Sequence, residues 1–395
     1  MIQRRSVITF PTFMSLGFMG IFHAFWGTTL PVFRAFLGVN IEQAALLSVY
    51  NQAGQGIACL AGGLLCDLVS RNKVVLLGCL MLGIGAFLLD SAASFQVSLL
   101  LLLFMGLGCG LIISGSNTLL VGLYPERKGT ILNIHHGVYG AVSLVSPLVM
   151  GYLLTSGIGW KAGYEGLGWL LMALCLFFLF ARVPQDFQGL TSRFFRDATR
   201  LFTSGNFIVL LLVAGFGVGT QHAVMYLSVT YLVEAKGIAL FQASMVLSAF
   251  FVCLFIGRLA CGWLALRLPV SRMVVFLLVL QWLCVLVAWL GKGWVSAAAI
   301  ALSGFGCSGI FPCLLALTGT LYFELAGTSM GILGAMNWVG AMLTVWVFGY
   351  VSERVNPDLG FVAVVCASCI ALIVFISRFM VFVGEEGARQ AASQR

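Results

Sequence analysis

Charge is scarce in this chain. Of 395 residues only 9% are Asp, Glu, Lys or Arg, and the acidic ones number 13, against about 25% charged residues in soluble globular proteins. With 61% hydrophobic residues and a mean hydropathy of +1.06, the chain cannot cover a water-facing surface. Segments of about 10 residues alternating in polarity are missing, which excludes a transmembrane β-barrel. No Asp or Glu lies near the middle of any long apolar run. Cysteine pairs in external loops are also missing: all twelve cysteines fall within or at the ends of apolar runs, where they act as small hydrophobes. Cys366 and Cys369 form a CxxC without a nearby His and read as packing. "GFGVG" at 215–219 has no strand before it, so it is not a phosphate loop. No cofactor motif is present. The adjacent His135 and His136 cannot both aim at one ion, which argues against a metal site and a metalloenzyme.

Long apolar runs are what the chain has in abundance. A helix needs about 20 largely apolar residues to cross a hydrocarbon core, and twelve runs qualify: 10–33, 42–66, 74–91, 97–123, 132–155, 164–182, 206–233, 241–266, 271–291, 294–323, 327–350 and 358–383. The expected fold is therefore an all-α membrane protein with twelve transmembrane helices. Basic residues are unevenly shared between alternate loops. With a cytoplasmic N-terminus, fifteen fall on inner loops and tails, while Arg34, Lys161, Lys236, Lys292 and Arg354 fall on outer ones and Arg258 inside a span. That bias is the positive-inside rule; the net charge of +8 reports topology in the bilayer, not nucleic-acid binding. Both termini are expected in the cytoplasm and the first run is read as a retained helix, with the protein in the cell's inner membrane.

Laying the chain on itself with a shift of 198 residues brings "GLGCG" (106–110) onto "GFGCS" (304–308), Tyr124 onto Tyr322, and Gly151-Tyr152 onto Gly349-Tyr350. The expected organisation is a six-helix half at 1–183, a cytoplasmic linker at 184–205 and a second half at 206–395, the two halves pseudo-symmetric. Transporters built from such repeats hold their solute near the bilayer midplane, between the halves, and rock one against the other.

"GGLLCDLVSRNK", 62–73, resembles the G-x-x-x-D-x-x-G-R-x-K signature of the major facilitator superfamily: Gly63, Asp67, Arg71 and Lys73 match and Ser70 replaces a glycine. The second half has a worn copy, "GRLACGWLALRLPVSR" at 257–272, with Ala265 at the aspartate position. More narrowly, "LNIHHGVYGAVSLVSPLVMGYL" resembles the fifth helix of the fucose-permease-like branch through Asn133, His136, Gly140 and Pro147. Pro312, Gly319, Gly331 and Gly340 resemble that branch's tenth and eleventh helices. The resemblance implies a secondary carrier for sugars or related polar solutes, often proton-coupled, in which Asp67, Arg71 and Lys73 act as a gate. Carriers of that branch have buried carboxylates in the first and fourth helices. Here those helices offer His23 and Asn117.

Polar groups at membrane depth are costly and mark functional sites by default. His136 and Asn133 share a helix face with Gly140 and Ser143, whereas His135 is rotated onto the face of Tyr139 and reads as packing or an interhelix bond. The repeat partner of His136 is Gly334, and that of His23 is Gln221, beside His222. Trp26, one turn from His23, offers a ring on which a sugar can stack, or is core packing. Asn51 with Gln55, Asn117, and Asn337 with Trp338 complete the expected lining; each is alternatively a helix–helix bond. Arg258 reads as a gate within "GRLACG" before it reads as a ligand. With no Arg or Lys expected at the midplane, the solute is expected to be small, neutral and polar, most readily a sugar, moved by a monomer either as uniport or with protons on His23 or His136. An exporter of amphiphilic compounds is the alternative.

Overall fold

The computed structural model describes residues 5–181, 199–265, 267–322 and 325–393; most of the expected linker lies outside the described residues, as does the Asp67 side chain. Among the described residues there are twelve long helices and a C-terminal thirteenth: α1 (Arg5–Leu37), α2 (Ile41–Leu68), α3 (Arg71–Ser91), α4 (Phe95–Leu123), α5 (Thr130–Thr155), α6 (Trp160–Phe180), α7 (Gly205–Glu234), α8 (Leu240–Leu264), α9 (Val270–Leu290), α10 (Gly293–Leu321), α11 (Thr328–Arg354), α12 (Pro357–Ile376) and α13 (Phe379–Ser393). Eleven are long and apolar enough to cross a membrane. The exception is α2, which at 28 residues is about 42 Å long but carries Asn51, Gln52 and Gln55 in its middle. It packs between α4 and α11, so those amides are screened from lipid.

Local chemistry sets the ends and breaks of these helices. Asn40 caps α2 through a reciprocal box in which its side chain accepts from the Gln43 amide at 2.8 Å and Gln43 returns the bond at 3.1 Å. Two helices break where proline removes a backbone donor. α5 is interrupted at residues 144–145, just before Pro147, and α10 at Gly309, before Pro312. α7 instead widens into a π-helical turn at Ala214–Val218, and Gln281 donates to the freed Gly217 carbonyl at 2.9 Å.

The two sets of six helices pack alike. α2 lies on α4, and α3 on α4 and α6; likewise α8 lies on α10, and α9 on α10 and α12. The halves meet through α1 on α7, α2 on α11 and α5 on α8. These seams are tight at one end of the bundle, the end with the α1–α2 and α7–α8 loops. There Gly27 approaches the Met225 carbonyl, Gly349 faces Ala45, and a Cβ on Gly151 would lie 2.7 Å from Ser244. Towards the other end, which holds Arg5 and α13, a Cβ added to Gly63 of α2, Gly137 of α5, Gly262 of α8 or Gly331 and Gly334 of α11 would meet no atom of another helix within 4 Å among the described residues. The same four helices are together at the tight end and apart at the terminal end.

Charge reinforces the tight end across the halves. Arg34 of α1 pairs with Glu234 of α7, and Arg354 of α11 with Glu42 of α2 at 2.8 Å. Glu353 also accepts from the Ile41 amide at 3.0 Å. Exposed pairs contribute about 0–1 kcal/mol each, enough to bias a seam without locking it. At the other end Arg5 pairs with Glu126 at 2.9 Å, within the first half.

Two outcomes follow. Gly340 of α11 presses on the Gly215 backbone of α7, so Gly340→Leu should destabilise by at least ~1–3 kcal/mol, seen as a lowered melting temperature in detergent, while Gly137→Ala should melt as wild type. Glu42→Arg should also lower the melting temperature, and Glu42→Arg combined with Arg354→Glu should recover most of the loss; a double variant as unstable as the single one would show that the pair does not couple the halves.

Candidate functional site

Midway along the bundle, five helices bring polar side chains to one level. His23 is eighteen residues into α1, about 27 Å from its start, and is buried. Its Nδ1 lies 3.0 Å from the Tyr139 hydroxyl of α5. That hydroxyl contacts Met225 Sδ of α7 at 3.5 Å. The Tyr226 ring packs between two histidines, its centroid 5.7 Å from His23 and 6.3 Å from His222. Gln55 of α2 reaches it across the halves, with Nε2 3.4 Å from the Tyr226 hydroxyl. On α11 the Trp338 ring lies over His222 at 4.6 Å, beside Asn337. Gln221 is buried next to His222.

Each of these groups sits where its helix can present it. Gly27 lets α1 close on α7 one turn beyond His23, and Gly56 lets α2 approach the Trp338 side chain, where a Cβ would be 3.3 Å away. The layer leaves polar atoms short of partners: His23 Nε2, His222 Nδ1, Gln55 Oε1 and Asn337 Oδ1 are buried and make no well-formed hydrogen bond to a described residue. Leaving a buried donor or acceptor unpaired costs about 1–3 kcal/mol. Four of them around Tyr226 form the chemistry of a binding layer, with rings for stacking and imidazole and amide groups that both donate and accept.

Nearer the terminal end lies a second layer. Arg258, six residues from the end of α8, donates from Nη1 to the His136 carbonyl of α5 at 3.0 Å and from Nε to the Ser308 carbonyl of α10 at 3.3 Å. Ser308 is four residues before Pro312, which lacks the N–H that would otherwise claim this carbonyl. Arg258 and His136 are both half-buried, and Asn133, one turn further out, is exposed.

Several expected lining residues are instead committed to helix packing. Trp26 is fully buried, donates from Nε1 to Ser48 Oγ at 2.8 Å and meets Phe33 edge-on, which matches the core alternative. Asn51 bonds the Leu102 carbonyl at 3.1 Å and accepts from Gln55 at 2.8 Å. Asn117 is half-buried on α4 with Oδ1 unpartnered, and no contact joins it to either layer. His135 lies 2.9 Å from Ser116 Oγ and stacks on Phe13, an α5–α4 bond. Of the expected gate, Arg71 lies against Gly122 of α4 and Lys73 is exposed on α3.

Tyr139, Met225, Tyr226 and Gln52 are the residues that sequence reasoning missed. Gln52 is buried on α2 with both amide atoms unpartnered. Tyr139 falls with His135 on the face read as packing, yet its long side chain reaches α1. The 198-residue shift carried a signal for it, because its repeat partner is Asn337, another member of the layer.

Comparison with known proteins agrees with this architecture. The Major Facilitator Superfamily model matches residues 12–239 and 210–393. Among curated proteins, the enterobactin exporter EntS of Salmonella typhi is 27% identical over 357 residues, 85% of this chain and 80% of that protein. The cis,cis-muconate transport protein of Acinetobacter baylyi is 23% identical over 60% of each chain. Among solved structures, the fucose:proton symporter of E. coli aligns with a TM-score of 0.67 at 18% identity, covering 93% of this chain and 98% of that one. A D-xylose-proton symporter aligns at 0.76 and 13% identity over 96% and 98%. With matches along nearly its whole length, the chain is a membrane transporter rather than an enzyme and belongs to the major facilitator superfamily.

Proposed function

We propose that the protein carries a small hydroxyl-rich organic solute of the sugar type across the bilayer by alternating access, holding it in the layer around Tyr226. The observation that carries this reading is the set of unpartnered His23, His222, Gln55 and Asn337 atoms drawn from both halves at one level. A solute bonded to both halves couples their rocking, as expected of repeat-built carriers. Sugar hydroxyls donate and accept in turn, which suits neutral imidazole and amide partners, and the Tyr226 and Trp338 rings suit the apolar faces of a sugar ring.

The proposal extends to topology and coupling. With both termini in the cytoplasm, the tight end is the outer one and the described state faces inward. Protons are the coupling ion, taken up by a layer histidine; the E. coli fucose symporter and the D-xylose symporter are themselves coupled to protons. The reading that the chain exports an amphiphile is favoured by one observation, the identity with the enterobactin exporter across 85% of the chain.

Uptake of labelled hexoses and pentoses into proteoliposomes, with and without an imposed pH gradient, tests these readings. Wild type should move at least one sugar, faster under the gradient, and His23→Phe and His222→Phe should each cut that flux by ~10-fold or more, since each removes a bond of about 1–1.5 kcal/mol and a proton site. Full flux in both variants would overturn the binding layer; absence of any sugar flux would favour amphiphile export.

A further inference from the structure

Arg258 is a fixed charge at membrane depth with no counter-ion among the described residues. The described acidic side chains lie at or near the ends of the spanning helices, such as Glu42, Glu234 and Glu353 at the tight end and Glu126 at the other, or, for Glu385 and Glu386, within the C-terminal α13. The ion pairs formed among described residues leave Arg258 out. Its partners are two neutral carbonyls, one on each side of the seam between the halves. Two of its five N–H groups are used, and the other three have no acceptor among the described residues. They are not sealed in hydrocarbon either, because Arg258 and the adjacent His136 are half-buried, beside the gap flanked by Gly137 and Gly334. A bare guanidinium at this depth is expensive unless something anionic completes it.

Its placement relative to the binding layer narrows what that anion is. The carbonyl it holds belongs to His136, one helical turn before Tyr139 and Gly140, so the charge sits about 5 Å along α5 from the turn whose tyrosine bonds His23. One small molecule can reach both. The planar fork of Arg matches a carboxylate with two parallel bonds.

We propose that Arg258 is a binding residue for a carboxylate group of the solute, so that the carrier takes a hydroxylated acid of sugar size in preference to the uncharged sugar. This rests on the reading of the Tyr226 layer as the seat of the hydroxyl-bearing body, and it changes the expected charge of the solute from neutral to −1. The proline break in α10 takes part by supplying the Ser308 carbonyl that holds the guanidinium before the acid arrives.

D-glucuronate and D-glucose, which differ in one carboxylate, separate the possibilities in proteoliposome counterflow, run on wild type, Arg258→Gln and Arg258→Lys. Wild type should move glucuronate at least ~10-fold faster than glucose. Arg258→Gln should lose that preference, with glucuronate flux falling at least ~10-fold further than glucose flux does in the same variant. Arg258→Lys, which keeps the charge but not the fork, should fall between. Glucose moved as fast as glucuronate by wild type would overturn the carboxylate assignment and leave the sugar-type reading standing. Equal loss of both fluxes in Arg258→Gln would make Arg258 a structural tie between α8, α5 and α10. Movement of neither solute would overturn the sugar-type reading and this inference together.

Discussion

Hydrocarbon offers polar groups no solvent, so each buried donor or acceptor must find its partner in the protein or pay for lacking one. Much of this molecule follows from how that demand is met. Gln281 takes the Gly217 carbonyl exposed by the π-helical turn of α7, Arg258 takes the Ser308 carbonyl left free by Pro312, and Asn51 takes the Leu102 carbonyl on α4. Among the buried polar atoms that stay unpartnered within the described residues, those of His23, Gln55, His222 and Asn337, on α1, α2, α7 and α11, belong to one layer around Tyr226, between the halves. Their unmet bonding supports the reading of this level as the place where solute is held.

The seams turn that layer into a device. α2, α5, α8 and α11 touch at the tight end through glycines and crossed charges of opposite sign, and separate at the terminal end, where their glycines face open space. Glycine serves both states: it permits backbone contact when a seam is closed and offers no side chain to obstruct sliding. The two ion pairs joining the halves are partly exposed and therefore weak enough to exchange for water when the seam opens.

Sequence reading reached the helix count, the paired halves and the family because those rest on long-range regularities: apolar run length, the alternation of basic loops and a fixed 198-residue register. It singled out His23, His222, Gln55, Asn337 and Trp338, which the structure sets in one layer, because a polar or ring-bearing residue at midspan stands out against an apolar background. It left Trp26 open between lining and core, because the direction of the indole N–H towards Ser48 depends on the crossing of α1 and α2, and it passed over Tyr139, whose reach exceeds what a helical wheel conveys. Gln55 and Asn51 look equivalent in sequence. In the structure Asn51 spends both ends of its amide on bonds while Gln55 keeps one free, a distinction set by the neighbouring α4 backbone. The crossed ion pairs of the tight end were hidden because Arg34 pairs with Glu234 two hundred residues away.

The central claim is that solute occupies the layer between the halves, against the ring pair formed by His222 and Trp338. The most direct measurement is the fluorescence of Trp338, obtained as the difference between wild type and Trp338→Phe in the same detergent, during titration with a solute that the carrier is shown to move. The account predicts a saturable change in the difference signal, with a midpoint matching the concentration dependence of transport. A transported solute that leaves the Trp338 signal unaltered at saturating concentration would contradict it.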